Sequence, residues 1–202
     1  RHQSFIANPW SYNFSYKIKP DARVLIIGTG LTMADIAITL LRDHERNNIT
    51  AISRRGLLPQ RQRQTPPREP IWDALMRPIP NFIESHGLQN SVFEIFRIFR
   101  KNVAELKEKN IEWQVAFDDV RDAAYKLWPS LSLREKEKYF RHLSSWYESH
   151  RFRLPPQTAE KLDNYKQQGK ITYYAGSIIK VGVHNDVIHA QIRLRHTQEI
   201  II

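Results

Sequence analysis

Cysteine is absent from the 202 residues. That excludes disulfide frameworks, thiolate zinc sites and thiol catalysis, and it fits a cytoplasmic protein. Acidic residues are scarce beside basic ones, 21 against 31, leaving a formal net charge of +10. An acidic tail protein is thereby excluded and an anionic ligand or partner is expected. No apolar stretch approaches the roughly 18 residues that a membrane span requires, and no signal-peptide pattern opens the chain, so no membrane partner is expected. What is present suffices for a folded domain: a chain of this size buries roughly 70% of its unfolded surface without a disulfide or metal staple.

Residues 1–22 form a lead-in segment with aromatic and polar residues (Pro9, Trp10, Tyr12, Phe14, Tyr16) in no clean period. Residues 23–69 begin a β-α-β unit. The β-branched run Arg23–Gly28 predicts a strand buried on both faces of a parallel sheet. Residues 31–44 have helical spacing, with Ile36, Leu40 and Leu41 on one face beside Ala34 and Ala37. A polar turn at Asn47–Asn48 leads to a second strand at residues 49–53, and the Arg-, Gln- and Pro-rich residues 54–70 read as a loop. Residues 70–169 read as a helical insertion. Capping boxes at Ser91/Glu94 and Ser132/Glu135 open two of its helices; another stops at Trp128–Pro129. The helix after Ser132 runs unbroken to about Arg151, and a last one spans Pro155–Pro156 to Gly169. Residues 170–202 return as strands: Ile171–Ala175, Ile178–Val183 and, after an Asn185–Asp186 turn, a strictly alternating Val187–Arg195 with one wet face. The chain stops at Glu199–Ile202 inside an apolar strand, so it is read as a piece of a longer protein.

Between the first predicted strand and helix stands Gly28-Thr29-Gly30-Leu31-Thr32-Met33. The first glycine permits a tight turn; the second lets a pyrophosphate approach backbone amides at the positive end of the helix. Met33 occupies the third glycine position, so close strand–helix contact there is relaxed or shifted to Ala34 and Ala37. The plain alternative is a strand-to-helix turn that binds nothing.

The run Val24 to Asp35, followed by Ser53-Arg54-Arg55-Gly56-Leu57-Leu58-Pro59, resembles the bacterial family of FAD/NAD(P)-binding proteins of unassigned reaction, relatives of flavoproteins with two dinucleotide-binding domains. Met33 matches that family, and Arg141-His142-Leu143, Trp146, His150-Arg151 and Arg153 to Pro155 resemble its later motif. The resemblance implies an α/β fold: a Rossmann-like nucleotide-binding parallel sheet with a large helical insertion and a short antiparallel β-meander. It also implies the NAD(P)H-binding domain of an FAD-dependent oxidoreductase, with FAD held by a part of the parent chain not included here. An N-hydroxylating flavin monooxygenase shares the same nucleotide site. A basic nucleic-acid-binding module is the alternative of another class, and it leaves the glycine turn unexplained.

Asp35 stands seven residues after Gly28, where pyridine-nucleotide disulfide reductases carry a Glu near the nicotinamide carboxamide; an acid favoured by the helix dipole explains it equally. Arg54, Arg55, Arg61, Arg63 and Arg68 lie in a stretch without an acid. An NAD site wants Asp or Glu at the end of the second strand to bind the ribose 2′-hydroxyl. Here that place is Ser53-Arg54-Arg55, whose forked donors suit a 2′-phosphate, so NADP is preferred over NAD. Arg61 and Arg63 stay open between this role and a solvated loop. His142, Trp146 and His150 fall at i, i+4 and i+8, on one side of a single predicted helix. Two histidines so spaced cannot chelate one metal from one helix, and no metal site is expected. An aromatic stripe at a core edge and a surface facing the substrate both fit these three residues. No nucleophile–base pair is visible, so catalytic residues stay unassigned.

Overall fold

The apolar run after Ala22 forms strand β1 (Arg23–Ile27), the glycine turn opens helix α1 (Leu31–Asp43), and β2 (Asn48–Ser53) follows. The computed structural model describes residues 2–11, 14–63 and 84–202; Tyr12, Arg68 and the start of the insertion lie outside them. The chain divides into two compact units, Arg1–Pro59 with Leu154–Ile202, and Gln60–Arg153.

The first unit is an α/β fold on a five-stranded mixed sheet, ordered β1-β2-β3-β4-β5. Strand β3 (Ile171–His184) runs parallel to β2, and β4 (Val187–Leu194) and β5 (Ile200–Ile201) continue antiparallel. Strand side chains alternate between faces, so Val24, Ile26, Ile49, Ala51, Ile171 and Tyr173 share one. The stripe of α1 (Met33, Ile36, Ala37, Leu40, Leu41) and the later helix Pro156–Gln167 (Ala159, Leu162) close over that face as the core. That helix starts on Pro156 and ends in a pair of backbone bonds, Gly169 N–H to Lys166 O at 3.0 Å and Lys170 N–H to Tyr165 O at 2.8 Å. It belongs with the sheet, whereas the sequence groups it with the insertion.

Two strand expectations are corrected. Among the described residues β1 pairs only with β2, and it alternates exposed and half-buried, with Leu25 and Ile27 on the outer face at 36% and 70% exposure. An edge position with one face covered by α1 replaces the burial on both faces inferred from its apolar run. The two strands expected at Ile171–Ala175 and Ile178–Val183 are one, β3. Its first half pairs with β2 and its second, after Gly176, with β4, with an irregularity between Ile178 and Lys180. Glycine serves close approach here rather than a break, because a Cβ at Gly176 would meet the Arg193 carbonyl oxygen at 2.6 Å. The Asn185–Asp186 turn has positive φ at both residues (50° and 59°), the geometry a two-residue hairpin needs.

The second unit is helical among the described residues: α2 (Val92–Glu108), α3 (Gln114–Ser130), α4 (Leu133–His142) and α5 (Ser144–Arg151), with Pro156–Gln167 of the first unit numbered α6. Phe99, Ala116 and Phe117 are its buried centre. Ser91 makes no side-chain cap; the Val92 N–H donates instead to Glu135 Oε2 at 2.9 Å, and Glu94 pairs with Arg97. Ser132 does cap α4, accepting from the Glu135 N–H at 3.3 Å. Glu135 thus serves two helix starts, and hydrogen bonds from Lys138 and then Val92 hold its carboxyl below the usual range. Pro129 does not stop α3, which runs one residue past it. The single helix expected from Ser132 to Arg151 breaks at Leu143. There the Ser144 hydroxyl bonds back to the Phe140 carbonyl at 2.9 Å, a contact that bends helices.

The two ends of this unit are fastened together. Gln60 N–H donates to Ser149 O at 2.8 Å, and buried Asp118 takes Arg153 on one carboxylate oxygen and Arg63 on the other, the latter at 3.7 Å. The side chains of Asp118, Arg63 and Arg153 are 8%, 8% and 4% exposed. Asp118→Ala would leave two buried guanidinium groups without their carboxylate, and we expect a loss of about 3–5 kcal/mol. Urea unfolding measures it; a change below about 1 kcal/mol would mean that the cluster is dispensable.

Candidate functional site

Parallel strands end together, and ligands of open α/β sheets bind beyond their carboxyl ends. Here β1 and β2 end at Ile27 and Ser53, and the Gly28 N–H carries the ladder one step further, to Ile52 O at 2.7 Å. Gly28 then turns at φ 114°, a conformation L-residues avoid. Gly30 is the N-cap of α1, extended at φ −87° and ψ −166°, so its backbone would accept another residue. Packing does not demand glycine there either, since nothing lies within 4 Å of where a Cβ would stand. A side chain would fill the opening above the first turn of α1, where the amides of Leu31, Thr32 and Met33 precede the first intrahelical bond, Ala34 N–H to Gly30 O at 3.3 Å.

Thr29, between the glycines, is 5% exposed. Its Oγ1 lies 2.6 Å from Leu57 O and 2.8 Å from Ser53 Oγ, and Ser53 Oγ accepts from the Gly56 N–H at 3.0 Å. A carbonyl can only accept, so the Thr29 proton goes to Leu57 and the Ser53 hydroxyl donates to Thr29. The chain Gly56–Ser53–Thr29–Leu57 is then fully satisfied. Gly56 has φ 65°, and a Cβ on it would stand 2.9 Å from the Cβ of Ala175.

Leu31 packs against the core and Met33 is within it, while Thr32 is exposed. Asp35 is exposed on the second turn of α1, past the first turn where the dipole explanation would put it. Arg54 is exposed and makes no side-chain hydrogen bond or ion pair among the described residues; Arg55 is half-buried beside it. Arg63 belongs to the Asp118 cluster of the helical unit, and the Arg61 carbonyl accepts from Gln114 Nε2 at 3.4 Å. Trp146 and His150 share α5, with centroids 4.4 Å apart, and His150 stacks on Phe117 at 5.2 Å and 12°. Both lie in the aromatic core of the helical unit; Tyr147, beside them, has its phenol raised by burial. His142, on α4 and exposed, is not part of that stack.

Sequence reasoning missed Arg195. Its N–H donates to Ala175 O at 2.8 Å and its Nη1 to the Arg54 carbonyl at 3.3 Å, which sets a third arginine beside the Ser53–Gly56 turn. The alternation that marked it as a wet-face residue carried no hint of this neighbour. Among the described residues, no three metal-ligating side chains gather, and no helix is long and apolar enough to cross a membrane.

No protein-family model and no curated protein sequence matches the chain. Among solved structures it is similar to the reduced form of ornithine hydroxylase from Pseudomonas aeruginosa, at 12% identity and a TM-score of 0.41. The likeness covers 89% of this chain and 33% of that one, so the chain spans about a third of that protein's length.

Proposed function

We propose that the chain is an NADPH-binding domain of a flavin-dependent oxidoreductase, its FAD being bound by another part of the parent protein. The observation that carries this reading is Gly30 itself: a glycine whose backbone and surroundings would accept another residue, set in open space at the carboxyl edge of a parallel sheet and at the amino end of α1. The amides of Leu31, Thr32 and Met33 would hold the pyrophosphate there, aided by the helix dipole. The buried Thr29 hydroxyl chain fixes the turn in advance, so little order is lost on binding. Arg54 and Arg55, at the end of β2, would take the ribose 2′-phosphate, a place where NAD-specific sites carry an acid.

The nicotinamide supplies hydride to the flavin when both are bound, and this chain binds and orients rather than reacts. Asp35 is assigned to the carboxamide side on the resemblance. Trp146 and His150 receive no substrate role in this reading, because their contacts are those of the helical core.

Two outcomes test the reading by calorimetry. Gly30→Val should abolish binding of both NADPH and NADH while costing only about 1 kcal/mol of stability, the loss of a tolerable N-cap. Retained NADPH affinity in that variant would place the nucleotide elsewhere. Arg54→Ala with Arg55→Ala should weaken NADPH about tenfold or more, the worth of a charge-assisted contact, and leave NADH nearly unchanged. Equal affinities of the wild type for the two nucleotides would refute the 2′-phosphate assignment.

A further inference from the structure

We propose that Arg195 is a specificity-determining residue that joins Arg54 in binding a phosphomonoester on the nucleotide's ribose. This rests on the nucleotide reading above and extends it to an element far along the chain. The topology explains how the residue arrives. β3 leaves the parallel sheet after Ala175, and β4 pairs back along its second half until Leu194 faces Gly176. β4 therefore ends at the carboxyl edge of the parallel strands, one step from where β2 ends, since Ser53 pairs with Ala175.

Local contacts then set the arginine in place. Its backbone is held to Ala175 O, and the Leu194–Glu199 turn is closed by Gln198 N–H to Leu194 O at 3.1 Å and Leu194 N–H to Glu199 O at 2.8 Å. One guanidinium nitrogen bonds the Arg54 carbonyl, and the side chain makes no other hydrogen bond or ion pair among the described residues. A guanidinium has five donors in a planar fork, so most remain for a ligand. Arg54 likewise carries an exposed cation with no carboxylate partner among the described residues. Two such cations tied to one turn suit a dianionic phosphomonoester, which can accept from both forks. The bond to the Arg54 carbonyl also braces the turn that presents Arg54 itself.

The test is calorimetric titration of the whole chain with NADPH and with NADH at fixed ionic strength, in the wild type, Arg54→Ala, Arg195→Ala and Arg195→Lys. Arg195→Ala should weaken NADPH about tenfold and NADH less than about twofold; Arg195→Lys, which keeps the charge without the fork, should fall between. If Arg195→Ala does not fold by circular dichroism, the lysine variant carries the test, with an expected loss of about threefold for NADPH alone. NADPH affinity unmoved by Arg195 substitution, with Arg54→Ala still weakening it, overturns this proposal and leaves the nucleotide reading standing. Equal weakening of both nucleotides assigns Arg195 a purely structural role and overturns it too. A wild type that binds neither nucleotide removes the nucleotide reading and this proposal together; one that binds both alike leaves a nucleotide site but removes the 2′-phosphate assignment and this proposal with it.

Discussion

A single buried hydroxyl, that of Thr29, keeps the two turns at the sheet's carboxyl edge in a fixed relation. It hands its proton to Leu57 and receives one from Ser53, which in turn is met by the Gly56 amide. Removing the hydroxyl would leave the Leu57 carbonyl and the Ser53 hydroxyl without these partners, at a cost of about 1–3 kcal/mol for a buried group. Ala175 is the second fixed point. It pairs with Ser53, its Cβ abuts Gly56, and its carbonyl receives the Arg195 amide. Glycine turn, arginine turn and the end of β4 are thus built around two small side chains. A larger residue at Gly56 or Ala175 would separate them.

Local signals in the sequence carried furthest where one element decides its own conformation. The glycine turn, α1, β2, the Asn185–Asp186 turn and the proline start and glycine end of α6 are all visible from neighbouring residues. Expectations failed where a partner distant in sequence decides. Glu135, rather than Ser91, caps α2 from 43 residues away. Gly176 reads as punctuation until the Arg193 carbonyl, which excludes any Cβ there, is known. The apolar alternation of β1 is the same whether a strand is central or at an edge, so periodicity alone could not place it.

The site divides in the same way. Gly28, Gly30 and Arg54 follow directly from strand, turn and helix in order. Arg195 stands 141 residues from Arg54 and was invisible as its neighbour until the strand pairing brought them together. Arg63 shows the converse, since an arginine in an acid-free stretch resembles a ligand-binding charge until Asp118, on helix α3, is found beside it. Spacing puts Trp146 and His150 on one side of α5, but His142, expected with them, falls on α4. Spacing does not say what that side meets, and here it meets Phe117.

The connection from β2 to β3 shows why so long an insertion leaves the parallel pairing intact. Parallel neighbours need a crossover, and α6 supplies it: the helix packs with α1 on one face of the sheet and leads directly into β3. The helical unit enters between β2 and α6, and its own ends are joined by the Gln60–Ser149 bond and by Asp118 holding Arg63 and Arg153. An insertion whose ends are already together adds little closure entropy to the crossover that contains it. β2, α6 and β3 can therefore keep an ordinary β-α-β geometry, and the register that aligns Ser53 with Ala175 is preserved. Substitutions inside the aromatic core of the helical unit should act on the stability of that unit, whose ends are closed by its own residues.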